Sequence, residues 1–312
     1  MTGIIRTIGG DLPSEQAGPT YVHEHLIIDT PLVADKMPQI HLDSVEEAVA
    51  EVSTCVAAGV RTMVDAMPAA SGRDPERLSR VSVLTGVRVV AATGLHTEKY
   101  YEGVSWTREE SPEALAARFI ADIEEGIDRH DYLSESIERS EAVAGIVKVA
   151  TLGHELSPRD ERLFEAAAIT VGRTGVAVLT HTEGGRGGME QVERLLGLGV
   201  AAERIALSHT DKVVDAGYHR DLLATGVMLC FDQGLRDPAR TFGLISAMVE
   251  QGFEHQILLG TDGARRSLWS TLGGYPGLAA LYRTSIAELS PGLVETLFVA
   301  NPARFLGRAA RE

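Results

Sequence analysis

The feature that most constrains this chain is an eightfold alternation of short apolar or β-branched segments with helix-patterned or loop sequence. The short segments fall at 20–28, 61–67, 87–94, 144–150, 176–182, 204–209, 227–232 and 256–261, all of strand length. Helical spacing marks 44–58, 112–128, 158–174, 189–198, 215–225 and 238–251 between them. The first of these opens with Ser44 and Glu47 at capping-box spacing and stops at Gly59. Parallel strands cannot be joined by hairpins and need crossovers, and eight such units are the number that closes a barrel with helices outside. The predicted fold is therefore α/β, a (β/α)8 TIM barrel forming a single domain over 1–312. It begins with a short N-terminal segment, and its tail, 291–306, reads as a closing helix plus a capped turn. A doubly wound open sheet would place a glycine-rich phosphate loop after an early strand, and the DTPLVADKMP segment after Ile28 has none.

Charge narrows the partners. Against 29 lysines and arginines stand 44 acidic residues, a formal charge of −15, which repels phosphate backbones and anionic headgroups. Neither nucleic acid nor a membrane is an expected partner, whereas a small-molecule substrate is; an anionic one would need local cations to overcome the global field. The two cysteines, Cys55 and Cys230, are too few for a disulfide framework and read as buried structural thiols. No basic segment followed by an apolar run opens the chain, and no stretch approaches the about 18 apolar residues of a membrane span, so a cytoplasmic location is expected.

The chemistry concentrates at strand ends. In His23-Glu24-His25 the period-two alternation of a strand sends both imidazoles to one side and Glu24 to the other, so two histidines face one metal. Lys148 in GIVKVAT, His181 in VLTHTE, His209 in ALSHTD and Asp262 in LLGTDG each lie at or near the C-terminal end of a different predicted strand, the edge where barrels assemble their sites. Lys148 is flanked by Ile146, Val147 and Val149, where a charged ammonium is costly to bury. His41, His130, His219 and His255 fall in helix or loop context and read as core or surface groups, while His96 and His154 follow strands and stay open.

In this ordered set (VHEHL, GIVKVAT, two later strands ending in His, a last strand ending in Asp) the chain resembles the phosphotriesterase-related family of the amidohydrolase superfamily, close to its lactonase and phosphorylated-sugar lactonase branch. The resemblance covers nearly the whole length. It implies two divalent ions, zinc, manganese or cobalt, with His23, His25 and Asp262 on one, His181 and His209 on the other, and Lys148, carboxylated by CO₂, bridging both. It further implies hydrolysis by a hydroxide shared between ions about 3.5–4 Å apart, with Lys148 and Asp262 as catalytic groups, Asp262 carrying the proton to the departing alkoxide. Barrels of this family often associate, which allows for a homodimer.

Residues around the pair set the substrate. Arg265, Arg266 and Tyr275 follow the last strand, and Arg236 and Arg240 follow the seventh. Several converging guanidinium forks suit a phosphate or carboxylate on the substrate. Tyr100 or Tyr101, in TGLHTEKYY, is placed to cover the site or donate near the nucleophile, and Trp106 and Trp269 either wall the pocket or pack beneath loops. The expected activity is opening of a sugar or related lactone. Phosphotriester hydrolysis, amide hydrolysis or deamination on the same barrel, and a non-catalytic metal-binding barrel are the alternatives.

Overall fold

The computed structural model describes residues 3–309. It opens with an antiparallel hairpin, β1 (Ile4–Thr7) and β2 (Gly10–Pro13). Eight parallel strands follow: β3 (Thr20–Glu24), β4 (Thr62–Asp65), β5 (Arg88–Gly94), β6 (Ala144–Ala150), β7 (Ala177–His181), β8 (Ile205–Ser208), β9 (Met228–Phe231) and β10 (Ile257–Leu259), each hydrogen-bonded to its neighbour in chain order. The backbone N–H groups of Thr261 and Asp262 donate to the His23 carbonyl at 3.1 and 3.0 Å, bringing the last strand back to the first. A side chain at Gly260 would meet the His23 backbone at 2.7 Å, so this seam needs a glycine. All eight predicted strands are present, most of them shorter than the apolar runs that announced them.

The helices start where the sequence pairs a short polar residue with proline. Thr30, Asp74, Ser111, Ser157, Asp237 and Ser290 each cap a helix whose first residue is proline, the side chain accepting a backbone N–H two or three residues on. Helices Pro31–Lys36, Pro75–Thr85 and Ala280–Glu288 were not among the predicted ones. The helix expected over 112–128 ends at Glu124, because Gly126 turns the chain with φ 134°. The tail is helical throughout, Pro291–Glu295 and Asn301–Leu306 joined by a π-helical turn, rather than a helix with a capped turn. No helix among the described residues is long and apolar enough to cross a membrane.

Two apolar cores result. One lies between strands and helices; the other fills the barrel with Val22, Val64, Val90, Ala92, Ile146, Leu179, Met228 and Leu258, and is stoppered from the N-terminal end by Ile5, Phe305 and Leu306. Cys55 belongs to the first and Cys230 to the second, both buried free thiols as expected. With that end plugged, the interior opens at the C-terminal ends of the strands.

Candidate metal centre

Strict alternation along β3 fails at one step, and the site depends on that failure. Tyr21 packs into the outer core and Val22 into the barrel, yet His23 also faces inward. The pairing with β4 shifts register between Tyr21 and Glu24, and this irregularity re-aims His23. Glu24 then points outward, accepting the N–H and hydroxyl of Thr261, and burial pushes its carboxyl up to about 8.

The six strand-end residues meet at the open end. His23 Nε2 lies 3.4 Å from Lys148 Nζ and 3.9 Å from Asp262 Oδ1; His25 Nε2 lies 3.5 Å from the same Asp262 oxygen; His209 Nε2 lies 2.9 Å from His181 Nδ1. Lys148, 1% exposed, forms no ion pair with a carboxylate among the described residues; Ser208 Oγ sits 3.2 Å away, and burial lowers its amine to about 8. Gly94, with φ 100°, lies against the Lys148 carbonyl where any Cβ would collide, so the glycine ending β5 sets how closely β5 and β6 approach beside the lysine. His209 and Asp262 take left-handed backbone conformations, φ 70° and 47°, strained by roughly 1–3 kcal/mol each. Asp262 is held there by Arg236, which donates to the Asp262 and Thr261 carbonyls at 2.7 and 3.0 Å and approaches Asp262 Oδ2 at 3.3 Å.

The proton positions follow from the partners. Asp232, buried at the end of β9, accepts from His23 Nδ1 at 2.9 Å and His209 Nδ1 at 2.8 Å, and Glu183 accepts from His181 Nε2 at 3.0 Å. Burial holds His23 and His181 well below the ordinary imidazole range, so they are neutral, while the surrounding imidazoles keep Asp232 and Asp262 ionised. His209 Nε2 and His181 Nδ1 are thus left with lone pairs facing each other across 2.9 Å. That arrangement is repulsive unless a proton or a metal ion sits between them. His25 Nδ1 is buried with no hydrogen-bond partner, and His23, His209 and Asp262 offer atoms within 4.8 Å of one another. Four imidazoles, the Asp262 carboxylate and a lysine of lowered basicity are a donor set that fits divalent metal.

A cavity of about 230 Å³ opens over this cluster, walled by Ile28, Ile40, Met67 and Ala264 on its apolar side. Of the residues predicted to bind substrate, Arg265, Arg236 and Tyr100 line it, although Arg236 is engaged by the Asp262 turn. The others do not reach it. Arg266 pairs with Glu47 at 3.0 Å, Arg240 with its own helix cap Asp237 at 3.0 Å, and Tyr275 is 85% exposed outside the cavity. Tyr101 is buried beneath the loop, its hydroxyl taking the His96 N–H. Neither tryptophan walls the pocket: Trp269 donates to the Gly263 carbonyl under the last loop, and Trp106 packs on Tyr132 and Arg118. His96, left open by the sequence, lines the cavity; sequence reasoning missed Lys99, Lys212 and Glu183, which also line it, and Asp232 beneath it. Lys99 and Lys212 lie one residue before Tyr100 and three after His209, so counting every cation in the strand-end loops, lysine as well as arginine, finds both. Asp232 had no such signal, since Asp65 also ends a strand and merely accepts the Leu26 and Met67 N–H groups.

A sequence profile of the phosphotriesterase family matches residues 3–306. A phospho-furanose lactonase of Mycoplasmopsis agalactiae is 33% identical over 73% of this chain and 66% of its own length. One of Mycoplasmopsis synoviae is 29% identical over 96% of this chain and 91% of its own. The crystal structure of an amidohydrolase from Mycoplasma synoviae superposes with a TM-score of 0.94 at 28% identity, covering 100% of this chain and 94% of that one.

Proposed function

This chain belongs to the phosphotriesterase family and is a metal-dependent hydrolase, and from that premise we propose that it is a lactonase opening a sugar or related lactone that carries a phosphate or carboxylate. The family implies a binuclear divalent metal centre. In this reading His23, His25 and Asp262 hold one ion, His181 and His209 the other, and Lys148 serves both after its neutral amine has added CO₂ and released a proton. When bound, the pair, as zinc, manganese or cobalt, would polarise the lactone carbonyl and supply a water acidic enough to attack near neutral pH.

The protein's own groups do the rest. Asp262, kept ionised by the neighbouring histidines and Arg236, accepts the proton of the attacking water and passes it to the ring oxygen as the acyl–oxygen bond breaks. The apolar wall of Ile28, Ile40 and Met67 packs against ring carbons and thins the water around the reacting bond. Tyr100, its phenol pushed up to about 12 by burial, stays protonated and donates to the substrate.

The observation that carries the anionic substrate is that Lys99, Lys212 and Arg265 surround the mouth without forming an ion pair with any carboxylate among the described residues, in a chain of charge −15. Glu183 is the rim carboxylate that feels Lys99 and Lys212, and it cannot balance three cations, so the mouth is matched to an anion from solution. The names of the two relatives favour a phosphate on a furanose ring. A panel of γ- and δ-lactones with and without phosphate or carboxylate tests this. Charged rings should exceed neutral ones in kcat/KM by about 10- to 100-fold, and Arg265→Ala should remove about tenfold of that preference, mostly in KM. Equal rates on charged and neutral rings overturn the anionic substrate, and turnover of phosphotriesters with none of lactones replaces the lactonase.

A further inference from the structure

Asp232 is placed unlike any other acid of the centre. Its carboxylate is fully buried and receives four donors: His23 Nδ1 at 2.9 Å and His209 N at 3.0 Å on Oδ2, His209 Nδ1 at 2.8 Å and Gln233 Nε2 at 2.6 Å on Oδ1. Its backbone is fixed in turn by buried Asp211, which accepts the N–H groups of Asp232 and Gln233 at 3.2 and 2.8 Å and the Thr241 hydroxyl at 2.8 Å. The side chain therefore has neither a free lone pair nor freedom to move. An ionised carboxylate can only accept, so both histidines donate from Nδ1 and turn Nε2 towards the centre, where the neutral ring offers a lone pair.

We propose that Asp232 is a positioning residue shared by the two metal positions, one carboxylate setting tautomer and ring orientation for a histidine of each and so coupling the loading of one ion to the other. The inference rests on the binuclear reading, in which His23 and His209 serve different ions. Glu183 is the contrast: of the metal-site histidines it hydrogen-bonds, among the described residues, His181 and no other, from the half-exposed rim of the cavity. A carboxylate behind one ligand tunes one ion, whereas a carboxylate behind two ligands of different ions tunes both.

The experiment compares wild type, Asp232→Asn and Glu183→Gln by titrating zinc into the metal-free proteins against a competing chelator. Wild type should take up two ions per chain. Asp232→Asn should weaken both by about 10- to 100-fold, and Glu183→Gln only one. Two ions bound by Asp232→Asn at wild-type strength, or one ion alone weakened, overturns the proposal and leaves the lactonase reading standing. Fewer than two ions on wild type removes the binuclear centre and the coupling together. If Asp232→Asn does not fold, imidazole ¹⁵N spectra of the metal-free wild type decide: His23 and His209 must both appear as Nδ1–H tautomers, and an Nε2–H form of either overturns the assignment.

Discussion

Two clusters of buried charge lie in this fold, one at the strand ends and one between β5 and the helix that follows it, and they solve the same problem in opposite ways. Around Arg73 the chain supplies its own counter-charges: the guanidinium binds Asp122 and Asp131 at 2.7 Å each and the Ala92 carbonyl at 2.6 Å, while Asp122 also receives Thr93, Tyr132 and Arg139. Apart from Asp131 Oδ2, that network closes on itself. The strand-end cluster does not close. Its lysine has no carboxylate partner, two imidazole lone pairs face each other, and His25 Nδ1 is bare. Buried polar groups are costly unless matched, so a cluster matched from within maintains the fold, and one left open at its centre is shaped for something that arrives from solution.

Single substitutions pull the two apart. Lys148→Ala should lower kcat/KM on the preferred lactone by three orders of magnitude or more, because the hydrolytic water depends on the metal pair, and should reduce metal content. Unfolding of the metal-free protein in urea should be little changed or slightly strengthened, since an uncompensated buried amine is removed. Arg73→Met should do the reverse. It leaves Asp122 and Asp131 buried without their cation, which costs about 3–5 kcal/mol in the same urea experiment, while the folded fraction keeps its metal and turnover. Metal loss from Arg73→Met at unchanged stability would erase the distinction between the clusters.

How far the sequence disclosed this depended on whether the signal was periodic. The eight strands were legible because each is a short apolar run with a face on either core, and the helices opening at Pro112, Pro158 and Pro238 because Ser or Asp followed by Pro leaves the backbone few other options, although the same pairing at Asp74-Pro75 went unread. Six residues of the open cluster were legible because strand ends share one edge of a barrel. The closed cluster was not, since Arg73, Asp122 and Asp131 come from a loop, a helix and a second loop with no common spacing. The same reason hid Asp232 and misplaced Arg240, Arg266 and Tyr275, whose directions are set by local turns and by partners such as Asp237 and Glu47. The irregularity that turns His23 inward was equally invisible, because it is a register shift between two strands and belongs to neither sequence alone.

The finest test sets one tyrosine of each cluster against the other. Tyr132 donates to Asp122 at 2.6 Å and accepts from Arg139 at 2.7 Å, so its hydroxyl is consumed within the fold. Tyr100, its ring tilted against His96 with centroids 4.3 Å apart, has no hydrogen-bond partner for its hydroxyl among the described residues and faces the cavity. Tyr132→Phe should therefore cost about 1 kcal/mol of stability with turnover intact, and Tyr100→Phe should cost three- to tenfold in kcat/KM with stability intact, about 0.5–1.5 kcal/mol for one hydrogen bond. pH then identifies the donor. Burial and the nearby Asp262 and Glu183 carboxylates disfavour the phenolate of Tyr100 and push it up to about 12, so the neutral donor persists well into alkali. The ratio of wild-type to Tyr100→Phe rates should accordingly stay constant from pH 7 to pH 10. A ratio that closes towards unity with a midpoint near 10 would mean an ordinary, solvated phenol, and Tyr100 would lose its place in the site.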